Sequence, residues 1–247
     1  MLHKTQGIVL RSIKYGDSSL ITTIFTARDG IQAYMVQGVR SAKAKQNRAG
    51  SFQPGMLLDL VVYHQPQRNM QRLREFQAAH IYNGLQEHVI KNSIVLFSVE
   101  VLLRLLPEHA PLPELFDFAY AYFVTLDSML TQEVANFPLF FIIKCSRVLG
   151  YDLKGVYSSE TPYLDIQEGG FTGQEPNAAS TSYTSNEDAG ILSRLLMTES
   201  YDALKEIEMN AAMRIRLIDW YIAFLQQHTQ HMGDIRSLPI LKAILHQ

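Results

Sequence analysis

The residues best equipped for chemistry are cations that no nearby acid opposes. Between Gly38 and Gly55 the chain reads GVRSAKAKQNRAGSFQPG, 18 residues that hold Arg40, Lys43, Lys45 and Arg48 and no acid. Cations two or three residues apart on a loop can follow a phosphate backbone, releasing counterions as each charge is neutralised. Loops of this length inside compact domains are uncommon and are usually functional or disordered. A solvated connection between strands is the bland alternative. Arg11 and Lys14 precede the loop in a strand-like segment, and Arg28 stands in a turn. Tyr15, Phe25, Tyr34, Phe52 and Tyr63 share this region. Most aromatics in a small β-domain belong to its core, so one or two of these five are expected at the surface, available to stack on unpaired bases.

No catalytic set can be assembled from the remaining residues. There is no Walker loop, no Gly-x-Ser-x-Gly elbow, no His-Glu-x-x-His and no Gly-x-Gly-x-x-Gly. His228 and His231 lie three apart on one helical stretch, but two His are an incomplete ligand set. Asp165 and Glu168 sit in a polar loop without a convergent partner. Cys145, the single cysteine, lies in an apolar helical stripe and reads as a small buried hydrophobe. It allows no internal disulfide and no multi-thiolate metal site, and it suits a reducing compartment. No cofactor is expected.

The elements that must carry these residues fall into two sets. Short segments rich in Ile, Val, Thr and aromatics run near Gly7–Lys14, Leu20–Thr26, Ile31–Gln37, Met56–Tyr63 and Gln71–Ala78. Turn signals separate them, with Asp29-Gly30 placed for a tight hairpin. Five short strands in about eighty residues predict a small barrel, and five is the count of an OB-fold. After His80 the apolar period becomes helical, as in Ile90, Ile94, Phe97, Val101 and Leu105 before Pro107. Further helices are expected around Phe116–Leu130, after Pro138 as far as Leu149-Gly150, and over Asn186–Met197, Tyr201–Gln230 and Leu238–Leu245. Residues 151–185 break this pattern with Gly169-Gly170 and a Ser/Thr/Asn-rich stretch, an irregular insert with a short hairpin of Tyr163–Ile166 against Phe171. The fold class is therefore α+β: an OB-fold domain over 1–80 and an all-α domain over 81–247.

Charge divides the chain at the same place. Residues 1–80 hold 11 Lys and Arg against 4 acids, a net of +7, while the remainder holds 11 against 20, a net of −9. The overall −2 conceals this segregation, which is what a basic module for a polyanion joined to a second kind of module would produce. With 247 residues, 47% apolar and 19% charged, the chain can bury a sizeable core and does not read as disordered or collagenous. The start, MLHKTQGIVLRSIK, lacks the apolar stretch of a secretory signal, and runs such as Val134–Ile143 are too short to span a bilayer. The expectation is a cytoplasmic protein with no membrane partner.

In order and spacing, Gly7-Ile8-Val9-Leu10-Arg11, Tyr15-Gly16-Asp17-Ser18, Phe25-Thr26, Gly30, Gly38-Val39-Arg40 and Gln53-Pro54 resemble the N-terminal series of the RecO family of DNA repair proteins. Leu149-Gly150-Tyr151 and Ile235-Arg236-Ser237-Leu238 are similar to later stretches of that family. The likeness is dense over residues 1–65 and sparse afterwards. It implies an OB-fold followed by a helical domain, and a recombination mediator acting at the nucleoid. Such a protein binds single- and double-stranded DNA, anneals complementary strands and acts with RecR, in some bacteria also with RecF. It helps load RecA onto DNA coated by single-strand-binding protein, whose acidic C-terminal tail it contacts. DNA would then meet Arg11, Lys14, Arg28, Arg40, Lys43, Lys45 and Arg48. The tail would meet Phe141, Lys144, Arg147 and Tyr151, because spacing of three puts Phe141 and the two cations along one side of a helix. Many family members carry a four-cysteine zinc site in the insert. Thr172-Gly173-Gln174-Glu175 stands where a Cys-x-x-Cys pair would be, so no zinc is expected. A protein-interaction adaptor with incidental DNA binding is the alternative, and an enzyme without a known motif is the least favoured class.

Overall fold

The computed structural model describes residues 1–39, 48–175, 184, 186–230 and 232–245. It divides into two compact units, Met1–Ser128 and Met129–Gln247.

In the first unit, β1 (Leu2–Tyr15), β2 (Ser19–Thr26), β3 (Gly30–Val36), β4 (Leu57–Tyr63) and β5 (Met70–Ala78) form a closed barrel in the order β1-β2-β3-β5-β4. All pairs are antiparallel except β3 with β5. This is the five-stranded OB-fold that the strand count predicts. β1 is long enough to pair with both β2 and β4, and a bulge between Val9 and Arg11 lets it bend from one to the other. Alternation sorts the side chains. Val9, Leu20, Ile24, Tyr34, Leu58, Leu60 and Val62 fill the interior with Phe52 from the short 3-10 turn Arg48–Phe52.

The outward positions split into two zones. Leu57, Ile8 and Phe25 are register neighbours across β4, β1 and β2, and all are fully buried. They need a cover, and Phe116 of α2 (Pro113–Ser128) meets Phe25 edge-on at 5.4 Å. Close approach also fixes the β2–β3 turn. Gly30 has φ +68°, and a Cβ there would collide with the backbone of Ala110. The buried Asp127 carboxylate accepts the N–H groups of Asn83 and Leu85, both at 2.9 Å, and so ties the exit from the barrel to the end of α2. The helical period starts near residue 80, yet α1 (Val89–Leu105) and α2 belong to the same compact unit as the barrel.

In the second unit α3 (Phe137–Val148) is buried along most of its length and bonds to α6 (Ala211–His228) through Ser146 and Tyr221, 2.6 Å apart. α4 (Asn186–Met197) joins α6 through Asp188, which receives two 2.8 Å bonds from Arg216. The single helix expected over Tyr201–Gln230 is two: α5 (Tyr201–Lys205) and α6. Asn210 stops continuity by capping α6, its Oδ1 accepting the Met213 N–H at 2.8 Å. α7 (Leu238–Leu245) completes the helices.

The insert contains the expected hairpin, β6 (Tyr163–Asp165) with β7 (Gly170–Thr172), Leu164 facing Phe171. It is held by packing and hydrogen bonds. Lys154 bonds on both sides, its N–H to the Gly169 carbonyl and its carbonyl from the Phe171 N–H, each at 2.9 Å. Gly170 has no room for a Cβ beside the Lys154 backbone. The His228 Nε2 bonds the Ile166 carbonyl at 2.7 Å, pinning the hairpin turn to the end of α6.

Candidate nucleic-acid interface

The uncovered end of the barrel carries the second outward zone, and register places its members side by side. One row runs Arg11–Thr23–Ala33–Met70 across β1, β2, β3 and β5. The next runs Ile13–Ile21–Met35–Arg72, continues to Tyr63 of β4 and returns to Leu2 of β1. Neither row contains a carboxylate. Apolar side chains that would be buried in a finished core stand in solvent: Tyr15 is 51% exposed, Ile13 45%, Tyr63 44% and Met70 38%. A cluster of this kind marks a surface built to be covered. Cations beside exposed rings and methionines offer phosphates a counter-charge and bases a flat apolar seat. A cleft of about 500 Å³ opens in this zone, with Met35, Tyr63 and Met70 beside Arg68 and Arg72.

Arg68 comes from the loop 64–69 between β4 and β5, and that loop is built rather than slack. Gln71, 3% exposed, accepts the Gln65 N–H at 2.8 Å and donates to the carbonyls of Gln65 (2.9 Å) and Arg68 (2.7 Å). The Met1 amine donates to the His64 carbonyl at 2.7 Å, and His3 meets Asp29 at 2.8 Å beneath it. Arg72 is steadied by a 3.0 Å bond from Nη2 to the Gln37 side chain. The Arg68 backbone and the Arg72 guanidinium are therefore held at set positions in the cleft that the exposed Tyr63 lines.

Of the DNA-binding residues expected from sequence, Arg11 falls within this zone. Lys14 is exposed but has the opposite strand phase, and Arg28 is exposed in the turn at the far end of β2. Arg40, Lys43 and Lys45 lie outside the described residues, as does the side chain of Arg48. Of the five aromatics, Phe25, Tyr34 and Phe52 are core, and burial with nearby Asp29 pushes the Tyr34 phenol pKa up. Arg68, Arg72 and the Met35–Met70 floor were not singled out from sequence. A signal for Tyr63 was present, since Leu58, Leu60 and Val62 fix the inward phase of β4. The parallel β3–β5 pairing that sets Met35 against Arg72 left none.

The expected tail-binding set is arranged differently from its helical spacing. Phe141 is fully buried, so it offers no apolar floor at the surface. The ring beside the Lys144 ammonium is Phe140, at 5.5 Å. Lys144 pairs with Glu199 at 2.8 Å, and Arg147 with Asp152 at 3.0 Å and the Leu196 carbonyl at 2.7 Å. Tyr151 is half-buried at the end of the helix. These cations are committed to neighbours within their own unit.

His228 is engaged with Ile166, His231 lies outside the described residues, and Cys145 is buried, which pushes its thiol pKa up. Among the described residues no group of three or more His, Cys, Asp or Glu is placed to hold a metal.

Comparison with known proteins adds the family. Residues 1–82 match the model described as recombination protein O N terminal, and residues 86–239 match recombination protein O C terminal. A protein of Christiangramia forsetii named DNA repair protein RecO is 29% identical over 246 residues, covering 99% of each chain. One of the same name from Bacteroides fragilis is 30% identical over 246 residues, again 99% of each chain. A third, from Flavobacterium psychrophilum, is 27% identical over 241 residues, 98% of each.

Proposed function

The chain belongs to the RecO family of DNA repair proteins, and from that premise we propose that it is a recombination mediator whose barrel binds DNA through the uncovered β1-β2-β3-β5 face and the basic loop 38–55. The reading is supported chiefly by one observation: Arg68 and Arg72 line a cleft without a carboxylate together with exposed Tyr63 and Met70, and Arg11 and exposed Ile13 lie on the strand rows that continue from Met70 and Arg72. Phosphates of a strand lie against the arginines, and unpaired bases settle on the apolar residues between them. A duplex, with its bases stacked inside, engages the cations alone. The protein thereby holds single strands with their bases presented and anneals complementary ones. It acts with RecR, contacts the acidic tail of single-strand-binding protein and helps load RecA onto the strands that this protein coats.

The proposed place of action is the cytoplasm, at the nucleoid. Among the described residues no helix is long and apolar enough to cross a membrane. Binding of a fluorescent oligothymidylate and of a blunt duplex by Tyr63→Ala and Met70→Ala tests the reading. Both substitutions should weaken the single-strand complex by several-fold and leave the duplex complex nearly unchanged, since a stacked base contributes about 1–3 kcal/mol. Equal loss on both ligands, or loss on neither, rules out the base-seating role.

A further inference from the structure

Two thioethers stand in the cleft beside Tyr63. Of the nine methionines in the chain, Met35 and Met70 line it. Met35 is half-buried and Met70 is 38% exposed, so small solutes in the cleft reach both. The Met35 sulfur faces the Gln37 side-chain amide, whose Nε2 lies 3.9 Å away and whose Oε1 accepts the Arg72 bond. A polarisable, flexible thioether suits a seat for bases of different shape. Leu or Ile would be as apolar, yet only methionine can be oxidised there. Met213 and Met232 are buried, while Met1 and Met197, 80% and 81% exposed, do not line the cleft. Thiol oxidation does not compete, because the single cysteine, Cys145, is buried and burial pushes its pKa up, which keeps it from the reactive thiolate form.

We propose that Met35 and Met70 are an oxidation site at which a hydroperoxide converts the thioethers to sulfoxides and lowers single-strand binding until the sulfoxides are reduced. A sulfur lone pair attacks one peroxide oxygen, so that an S–O bond forms as the O–O bond breaks. With hydrogen peroxide, the proton on the transferred oxygen passes to the departing hydroxide, which leaves as water. The sulfur is oxidised by two electrons and the peroxide is reduced by the same two. The product is polar and chiral where the seat was apolar. Its oxygen holds water that a settling base must displace. On Met35 the Gln37 amide nitrogen is a ready donor to that oxygen, so the cleft keeps its outline while it loses its apolar floor. Two thiols then return each sulfoxide to the thioether, yielding a disulfide and water, with one reductase for each sulfoxide epimer. The inference rests on the nucleic-acid reading of the barrel face and supplies that site with its regulation.

Peroxide treatment of the full chain tests it. The protein is exposed to millimolar hydrogen peroxide, quenched with catalase, and divided among peptide mass spectrometry, a thermal melt and oligothymidylate anisotropy. Sulfoxide should accumulate at Met35 and Met70 while the protein stays folded. Single-strand affinity should fall at least about fivefold, the lower bound for losing one stacked base. Affinity for a blunt duplex, which engages the cations alone, should change little. The two sulfoxide reductases with dithiothreitol should restore the single-strand affinity. A Met35→Leu, Met70→Leu double variant is compared with itself before and after treatment; whatever its starting affinity, peroxide should not change it. Met197→Leu leaves the cleft methionines in place and should lose affinity as the unsubstituted chain does. The assignment is overturned if neither cleft methionine is oxidised, or if sulfoxide at both leaves single-strand affinity intact. Equal loss on the duplex, equal loss in the double variant, protection by Met197→Leu or loss that the reductases do not restore would overturn it as well. Failure of the untreated chain to bind oligothymidylate would instead remove the nucleic-acid reading, and this inference with it.

Discussion

Replacing Gln71 with Leu keeps the side chain's bulk but removes all three bonds that shape the loop 64–69. Each neutral hydrogen bond contributes about 0.5–1.5 kcal/mol net, so complete loss without relief would cost roughly 1.5–4.5 kcal/mol. Gln65 and Arg68 are exposed, however, and their freed backbone groups can turn to water. The expected destabilisation is therefore at the lower end, about 1–2 kcal/mol. The larger effect should fall on binding, because Gln71 fixes the backbone that carries Arg68. Losing one phosphate contact on a single strand should lower the slope of log affinity against log salt by about 0.7. Urea unfolding measures the first quantity, and oligothymidylate anisotropy over a salt series measures the second. Gln71→Leu should match Arg68→Ala in slope, and the double variant should bind no worse than Arg68→Ala alone. If Arg68→Ala weakens binding while Gln71→Leu leaves affinity and slope untouched, the loop is not held in place for DNA. If Arg68→Ala itself has no effect, the cleft is not the site.

Joint replacement of Arg40, Lys43, Lys45 and Arg48 by Ala should reduce DNA affinity and the salt slope, because fewer counterions are released on binding, and should change the melting temperature little; anisotropy and a thermal melt check both. His228→Ala should speed proteolytic cutting within residues 154–172, whereas chelator should leave the cutting rate of the unsubstituted protein unchanged, because the insert is held by hydrogen bonds and packing. Burial raises the Cys145 pKa, so the thiol stays protonated through neutral and mildly alkaline pH; a thiol reagent at pH 8 should label it only as fast as the protein unfolds.

What sequence revealed and what it hid have physical causes. Strands were legible because Leu58, Leu60 and Val62 alternate with residues of another kind, and turns because Asp29-Gly30 has few other uses. β1 runs from Leu2 where the pattern suggested Gly7, since its polar start, His3-Lys4-Thr5-Gln6, owes its strand conformation to pairing with β4. The break between α5 and α6 depends on one Asn whose side chain competes with the helical backbone, a local choice that the apolar period does not record. Helical spacing correctly put Lys144 and Arg147 on one helix. It could not see Glu199, more than fifty residues away, which comes to sit against both. The basic character of the first eighty residues was plain from counting. Which cations converge was not, because Met35 meets Arg72 only through the parallel closure of the barrel.

The central claim is that the barrel face presents single strands for pairing, and annealing measures it directly. Two complementary oligonucleotides, each coated with the cognate single-strand-binding protein, are mixed with the chain and duplex formation is followed by quenching. The protein should accelerate annealing well above the coated-strand background. A variant carrying Arg68→Ala, Arg72→Ala and Tyr63→Ala should fall to near that background while remaining folded. Background annealing with the unsubstituted protein, or full acceleration by the folded triple variant, would contradict the account.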